Sequence, residues 1–264
     1  MPSHGDEVVC RACGARETKF AFVGEVLSRR VDYYECAACG YFQTEHPYWL
    51  EEAYAKAIND SDTGIMARNL LNARIVLGTL WLLGDLRSRV VDFAGGYGVL
   101  VRLLRDYGVD ALWTDRYCPN LLATGFEYDS GRVGLVTAFE AFEHFLHPRQ
   151  ELSRMFEIAP SVLLSTELMG IPAPAHETWW YYGKEHGQHI GFFRVKTLQS
   201  LAAHHGKRLV TDGRAYHLVT SRPVDNTKWR LIVRLNRLMP MLVGRRIKSR
   251  TWTDHEVMVA RRQS

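Results

Sequence analysis

The sequence has little of what marks a membrane or secreted protein. Its longest apolar run, IVLGTLWLLG, covers ten residues and lies between Arg74 and Asp85. A run of this length is about half of what a helix needs to cross a bilayer. The first ten residues, MPSHGDEVVC, contain no apolar core of a signal peptide. We therefore expect a cytoplasmic protein.

The chain also lacks internal repeats, low-complexity segments and a strong overall charge. It has 264 residues, of which 47% are hydrophobic, and a formal net charge of +4. This composition predicts one main core with a small appendage. Residues 222–250 hold nine Lys or Arg against the single Asp225, a local charge of +8, so the remainder carries −4. Basic character is therefore local, which argues against nucleic acid as the partner.

The cysteines form two pairs with the spacing of a metal site. Cys10 and Cys13 lie in CRACG, Cys36 and Cys39 lie in CAACG, and 22 residues separate the pairs. Each CxxC turn can direct two thiolates at one ion, so the two pairs predict a zinc ribbon. Four sulfur ligands leave no position for water, and we expect structural zinc. Disulfides or unpaired thiols are the alternative, and the absence of a secretion signal disfavours disulfides.

The pattern along the chain divides it into three predicted sections. Residues 1–45 form the zinc ribbon, and residues 46–87 form a helical lead-in or lid. From residue 88 to 264, predicted strands such as RVVDFA, DALWTD, LLATGF and VGLVTAFE alternate with helices. Such alternation predicts an α/β fold with a doubly wound, mostly parallel sheet. The basic residues at about 222–250 form a helical insertion in this section.

The stretch VVDFAGGYG, residues 90–98, places an acid and small residues between a predicted strand and a predicted helix. Ligands of doubly wound sheets bind at such turns. Reading the dinucleotide pattern GxGxxG from Gly96 puts Val101 at the third glycine position, which disfavours NAD. Asp92 suits a cationic ligand better than a phosphate. The glycines let the backbone approach that ligand closely.

This stretch resembles the first motif, DxGxGxG, of class I S-adenosylmethionine (SAM)-dependent methyltransferases. Ala94 stands at the first glycine position. Asp115 ends the predicted second strand, where a carboxylate accepts from the ribose hydroxyls of a bound nucleotide; a solvated strand-end aspartate is the alternative. The candidate cofactor-binding residues are Asp92, Ala94, Gly95, Gly96, Gly98, Asp115 and Glu140. The resemblance implies a seven-stranded Rossmann-like sheet, with TDHEVMVARR as the seventh strand.

Two further segments resemble bacterial sugar methyltransferases of deoxysugar and surface-glycan pathways, some of which also bear zinc. Glu143 and His144 match a Glu-His pair after the fourth strand, and His189 matches a histidine that faces the acceptor. The resemblance implies His144 or His189 as general base, with Glu143 or Glu185 orienting one imidazole. Gln188 stands where those enzymes have glutamate, which disfavours their C-methylation mechanism here. A helix-start residue and a loop hydrogen bond are the ordinary alternatives for the two histidines.

The resemblance implies a SAM-dependent methyltransferase that acts on a small sugar or glycan intermediate. By analogy, Tyr54 or Asp62 lies near the methionine end of the donor. An RNA methyltransferase whose ribbon grips nucleic acid and a non-enzymatic SAM-binding scaffold are the other functions left open. The basic insertion fits an anionic membrane surface, an acidic substrate or RNA, and equally a helix packed on the core or a dimer partner. The methylated atom, oxygen, nitrogen or carbon, also stays open.

Overall fold

The computed structural model describes residues 8–55 and 62–263 of the chain. The predicted lid includes residues 56–61, which lie outside the described residues. The strands are β1 (Thr18–Val26), β2 (Arg29–Cys36), β3 (Phe42–Thr44), β4 (Val90–Phe93), β5 (Ala111–Thr114), β6 (Leu135–Phe139), β7 (Ser161–Ser165), β8 (Gly191–Phe192), β9 (Arg208–Thr211) and β10 (Tyr216–Thr220). The helices are α1 (Leu50–Ala53), α2 (Ile65–Leu83), α3 (Val99–Asp106), α4 (Pro148–Ile158), α5 (Val195–His204), α6 (Asn226–Arg234), α7 (Met239–Val243) and α8 (Thr251–Gln263).

The chain divides into two compact units, each made of three segments. The first unit comprises Met1–Lys56, Glu140–Arg154 and Leu164–Val219. The second unit comprises Ala57–Phe139, Met155–Leu163 and Thr220–Ser264. No helix among the described residues is long and apolar enough to span a bilayer.

The first unit contains a four-stranded sheet in the order β1-β2-β3-β8. The antiparallel pairing of β1 with β2 runs from Thr18 opposite Cys36 to Val26 opposite Arg29. Leu27 and Ser28 form the two-residue turn with φ of 50° and 60°, the backbone that matches the twist of a hairpin. The core of this unit is rich in buried aromatic side chains: Tyr33, Phe42, Trp49, Tyr181, Tyr182 and Phe192.

The larger sheet has six strands in the order β5-β4-β6-β7-β10-β9. Its strand β4 pairs in parallel with β5 and with β6, so that Val90 lies opposite Ala111 and Leu135. Most residues of β4 and β6 are buried, as expected for parallel strands with both faces covered. The predicted α/β class with a mostly parallel sheet is confirmed.

Two predicted strands are wrong, and the sheet has six strands instead of seven. The segment TDHEVMVARR lies in helix α8; Val257 and Val259 are each 40% exposed there, so their alternation marks no buried strand face. The segment LLATGF forms turns, because the side chain of Asn120 accepts from the Ala123 amide and Gly125 has φ of 88°.

A buried ion pair holds α8 against α3 within the second unit. Arg105 is 4% exposed, and its Nε and one terminal nitrogen each donate to Asp254 over 2.7 Å. The other terminal nitrogen donates to Asp110 and to the Ala111 carbonyl, both at 2.9 Å. The guanidinium also lies 3.8 Å from the centre of the Phe126 ring. These contacts explain why residues 251–263 dock as a helix.

The basic segment 222–250 forms α6, a short 3₁₀ turn over residues 236–238, and α7. Its buried side chains are Trp229, Ile232, Met239, Val243 and Ile247. Both helices contact α2. Gly78 of α2 permits this contact, because a Cβ at that position would lie 2.4 Å from Ile232. One face of the segment therefore packs on the core of its own unit.

We predict that the buried pair stabilises the second unit far more than an exposed pair does. The substitution Asp254→Asn leaves the Arg105 charge buried and is expected to lower the free energy of unfolding by about 3 kcal/mol. The control Glu151→Gln removes the exposed contact to Arg154 and is expected to change it by less than about 1 kcal/mol. Urea unfolding of the two variants measures both values, and equal effects would contradict the structural role.

Candidate functional site

The turn between β4 and α3 has a left-handed backbone at three positions. Ala94, Gly96 and Gly98 have φ of 64°, 54° and 86°. Only the first of these carries a Cβ, and such a residue in this conformation is strained by about 1 kcal/mol or more. The alanine therefore keeps the backbone that the glycine motif requires. Such strain is often found at sites that bind ligands.

The neighbouring glycines are required by close packing. A Cβ on Gly95 would lie 2.7 Å from the Trp113 ring and 3.1 Å from the Asp92 carboxylate. A Cβ on Gly98 would lie 2.8 Å from that of Ala123. The indole nitrogen of Trp113 donates to the carbonyl of Gly96 over 2.8 Å. The turn is thus held close to the end of β5.

Asp92 is a buried acid at this turn. It is 4% exposed and accepts a hydrogen bond of 2.8 Å from Thr137 Oγ1. Burial raises the pKa of Asp92 to about 7, and the nearby Asp115 adds to the rise. No ion pair involves Asp92 in the part of the chain that the structure describes. Asp92 is therefore a buried acid whose charge has no ion-pair partner among the described residues.

Asp115 fixes the turn through backbone contacts. Its carboxylate accepts from the amides of Gly96, Tyr117 and Cys118 over 2.9, 2.7 and 2.8 Å. These bonds occupy three of the roughly four acceptor positions of a carboxylate. Asp115 therefore joins the glycine turn to the end of β5, and its contact with ribose stays a prediction.

Glu140, the remaining candidate for the cofactor, belongs to the first unit. It directly follows β6 and has φ of 49°. Ser165 Oγ donates to its carboxylate over 2.5 Å and accepts from its amide over 2.9 Å. Asp62, by contrast, belongs to the second unit and pairs with Arg68 at the start of α2. The structure thus gives Asp62, which precedes α2, a local partner on that helix.

The first unit brings Glu143, His144 and His189 together. One ligand atom from each of the three lies within 4.8 Å of the others. The two imidazoles meet edge to face with ring centres 4.9 Å apart, and His144 Nε2 lies 3.9 Å from Glu143 Oε1. Glu143 is fully buried, and neither carboxylate oxygen has a hydrogen-bond partner among the described residues.

Each imidazole of this cluster is oriented through its Nδ1 atom. His189 Nδ1 lies 2.6 Å from the carbonyl oxygen of Tyr181. Because a carbonyl only accepts, this nitrogen carries the proton and leaves a lone pair on Nε2. His144 Nδ1 lies 3.0 Å from the hydroxyl of Tyr54. Sequence reasoning gave Tyr54 a place near the donor and missed its contact with His144.

Burial sets the protonation states of the cluster. It lowers the pKa of His189 to about 3, with His186 adding to the effect, and it lowers the pKa of His144 well below its usual value. Burial, followed by the charge of Glu140, raises the pKa of Glu143 to about 8. At neutral pH both imidazoles are therefore neutral and Glu143 is largely protonated.

Two partners in these sites carry weak signals in the sequence. Thr137 contacts Asp92 because the parallel pairing of β6 with β4 places these two residues side by side. The register of a parallel pair cannot be predicted from the sequence of either strand alone. Tyr181 orients His189 with its backbone, and backbone carbonyls carry no sequence signal.

The four cysteines Cys10, Cys13, Cys36 and Cys39 form one group in the first unit. The Sγ atoms of Cys10 and Cys39 are 3.6 Å apart, and those of Cys13 and Cys36 are 3.7 Å apart. These distances are far longer than a disulfide bond. They fit the edge of about 3.8 Å that follows from a tetrahedron with zinc–sulfur bonds of about 2.3 Å. The group can therefore hold zinc.

Residues 66–211 match the family model described as "Methyltransferase domain". The 1,6-didemethyltoxoflavin-N1-methyltransferase from Burkholderia thailandensis, solved with its substrate and S-adenosylhomocysteine, has a similar fold, with a TM-score of 0.51 and 16% identity over 78% of this chain and 100% of that one. CalO1, a methyltransferase in calicheamicin biosynthesis, aligns with a TM-score of 0.47 and 16% identity over 66% of this chain and 60% of that one. The chain thus spans less than two thirds of the length of CalO1. No curated protein matches the chain significantly in sequence.

We predict that the buried acid at the turn makes the protein less stable as the pH rises. A folded pKa of about 7 for Asp92 against about 3.9 in the unfolded chain means that the folded state holds the proton over this window, so stability is lost between about pH 4 and pH 7. The substitution Asp92→Asn removes the ionisation and keeps an acceptor for Thr137. At pH 8 it is expected to raise the free energy of unfolding by about 2–4 kcal/mol.

Urea unfolding from pH 4.5 to pH 8 measures this effect. The gain in the free energy of unfolding should become smaller as the pH is lowered towards 4.5, because Asp92 is then protonated in the parent protein. The control Asp129→Asn changes an exposed acid and should leave the curve unaltered. A destabilised Asp92→Asn variant at pH 8 would contradict the account.

Proposed function

Because the chain belongs to the methyltransferase-domain family, we propose that it transfers a methyl group from SAM to a small sugar or glycan intermediate, with a histidine as general base. The observation that carries this proposal is the buried Asp92 with no cationic partner at the glycine turn. The toxoflavin methyltransferase of similar fold binds S-adenosylhomocysteine, which supports SAM as the co-substrate here.

SAM supplies the cation that the turn lacks. Its sulfonium and ammonium groups are positively charged, and opposite charges in a low-dielectric site attract strongly. Ala94, whose backbone is left-handed, carries only a methyl group, and the closely packed Gly95 carries no side chain. At these two positions the turn therefore places no large side chain between its backbone and the ligand. The proposed donor residues are those of the turn together with Asp115, and the assignment of Glu140 rests on the sequence.

Methyl transfer requires an acceptor lone pair in line with the carbon–sulfur bond. The carbon–sulfur electrons return to sulfur, and the acceptor oxygen forms the new bond. The acceptor hydroxyl loses its proton, which passes to the Nε2 lone pair of His189 or to the unprotonated ring nitrogen of His144. Positioning supplies much of the acceleration, and general base catalysis contributes about 10²- to 10⁴-fold.

Glu143 supports this base in two ways. Its protonated carboxyl can donate a hydrogen bond to an acceptor oxygen. Its ionised form, dominant above pH 8, places a negative charge 3.9 Å from His144 Nε2. That charge stabilises the imidazolium that forms when the base takes a proton.

The charge of the cluster favours a neutral hydroxyl as the reacting group. Glu140 and Glu143 are its acids, and no Lys or Arg side chain pairs with either of them among the described residues. Because Glu143 is largely protonated at neutral pH, a phosphate or carboxylate here would meet the charge of Glu140 with no cationic group to offset it. Trp180 is 74% exposed, and its ring centre lies 5.2 Å from that of Tyr181. Such a surface suits the apolar face of a sugar ring.

The RNA methyltransferase is less well supported. On the ribbon hairpin, Arg29 pairs with Glu52 over 2.7 Å, and the hairpin's Glu35 adds a negative charge that pairs with Arg194 at the start of α5. These acids lower the positive charge that a phosphate backbone requires. The seven exposed Lys and Arg residues of segment 222–250 lie in the second unit, away from the ribbon in sequence.

For the ribbon we propose a structural Zn²⁺ held by its four cysteines. The amides of Cys13 and Cys39 each lie 3.5 Å from the first sulfur of their own pair, the geometry that stabilises thiolates in such turns. With four sulfur ligands the ion would hold the chain together and supply no reactive water. Reduced thiols persist in a reducing compartment, which supports the cytoplasm as the proposed location.

We predict that the acceptor-side histidines are needed for transfer and not for donor binding. His144→Ala and His189→Ala should each slow labelling of the acceptor from methyl-labelled SAM by about 10²-fold or more. Calorimetry should show unchanged affinity for S-adenosylhomocysteine. The control His204→Ala alters an exposed histidine of α5 and should retain the parent rate.

The acceptor for this assay comes from incubating the protein with labelled SAM and host metabolite fractions. A labelled neutral glycan intermediate is the expected product, and labelled RNA would favour the alternative function. Parent rates in both histidine variants would contradict the base assignment while leaving donor binding intact.

We predict one zinc ion per chain. Metal analysis of the purified protein should give about one equivalent, and Cys36→Ser should reduce the zinc content and lower the free energy of unfolding, since a structural ion stabilises the fold. Cys118→Ser is the matched control, because this half-buried cysteine lies outside the group. Equal zinc content in the two variants would contradict the assignment.

A further inference from the structure

The outer side of segment 222–250 exposes a row of apolar residues. The inner positions Trp229 and Ile232 are buried in the core of the second unit. Exposed apolar residues recur between and beyond them at spacings of three or four: Leu231 (54%), Leu235 (40%), Leu238 (44%) and Leu242 (48%), with Met241 at 68%. A fold gains nothing from exposing five large apolar side chains on one short segment, and such patches commonly mark interaction sites.

Basic residues accompany this row along the same segment. The exposed ones are Lys228, Arg230, Arg234, Arg237, Arg245, Arg246 and Lys248. Their two half-buried neighbours are neutralised, since Arg222 pairs with Asp85 over 2.7 Å and Arg250 lies 3.8 Å from Asp110. None of the seven exposed residues forms an ion pair among the described residues. Asp225 is the only acid of the segment, and it caps α6 by accepting from the Lys228 amide.

We propose that these residues form a docking surface for an anionic membrane, which we call the leucine–arginine face. Leucine side chains would enter the boundary between headgroups and acyl chains, while the arginines would contact lipid phosphates. Interfacial helices combine an apolar row with Lys and Arg in this way. The inference goes beyond the proposed function, because it concerns a surface that holds neither donor nor acceptor residues.

The combination of the apolar row with the exposed basic residues favours a membrane over other anionic partners. An RNA backbone would use the positive charge and leave the leucines in water. Each exposed Lys or Arg near an anionic surface is attracted to it, and the leucines add apolar area that can enter the interface. Docking of this kind would bring the enzyme to an acceptor carried on a lipid.

Vesicle flotation tests the proposal with the full-length, zinc-loaded protein. Vesicles of phosphatidylcholine containing 30 mol% phosphatidylglycerol should carry the protein upward, whereas pure phosphatidylcholine should not. High salt should weaken the binding, because it screens charge. Arg230→Glu/Arg234→Glu/Arg237→Glu and Leu235→Ser/Leu238→Ser should each lower vesicle binding at least tenfold.

The matched controls change exposed residues elsewhere. Arg87→Glu/Arg132→Glu/Arg208→Glu reverses the same number of charges on exposed arginines outside the segment, and Val257→Ser/Val259→Ser removes two apolar residues that are each 40% exposed. Both controls should float as the parent does. All variants should keep the circular dichroism spectrum and the S-adenosylhomocysteine affinity of the parent.

Absence of binding to anionic vesicles would overturn the inference, as would equal loss in the controls. Binding to single-stranded RNA in place of vesicles would overturn it in favour of nucleic acid. None of these results bears on methyl transfer to a soluble acceptor, which is measured separately. Failure of the docking surface and failure of the proposed function are therefore distinguishable.

Discussion

The glycine turn between β4 and α3 is built around a buried carboxylate that has no ion-pair partner among the described residues. Asp92 is 4% exposed, is held by Thr137 and has a pKa raised to about 7. A buried acid of this kind destabilises a folded chain unless something offsets it. The left-handed Ala94 adds backbone strain at the same turn. A purely structural turn would need neither the buried acid nor the strained alanine. In a turn that binds a cation, the buried acid favours binding and the backbone strain is tolerated.

Burial also determines the protonation states of Glu143, His144 and His189. It keeps His144 and His189 neutral at physiological pH, so that their lone pairs are available, and it keeps Glu143 protonated until about pH 8. The Tyr181 carbonyl then selects the tautomer of His189. The second unit thus contains a buried acid with no ion pair among the described residues, and the first contains two neutral imidazoles.

Patterns with a local physical cause were readable from the sequence. Two CxxC turns predicted the cysteine group, and the alternation of strands and helices predicted the parallel sheet. The Glu143–His144 pair and His189 were found by resemblance, and the structure brings them together. Sequence-based predictions were wrong where tertiary contacts determine the structure. The alternating apolar residues of 253–262 suggested a strand, but the Arg105–Asp254 pair docks them as a helix. Contacts such as Thr137 with Asp92 depend on strand register, which short patterns do not specify.

Calorimetric titration of the purified, zinc-loaded protein with S-adenosylhomocysteine, beside a titration with NAD, tests the central claim most directly. If the glycine turn binds SAM, one equivalent of S-adenosylhomocysteine should bind saturably and NAD should give no heat. Absence of heat with S-adenosylhomocysteine, or saturable binding of NAD in its place, would contradict it.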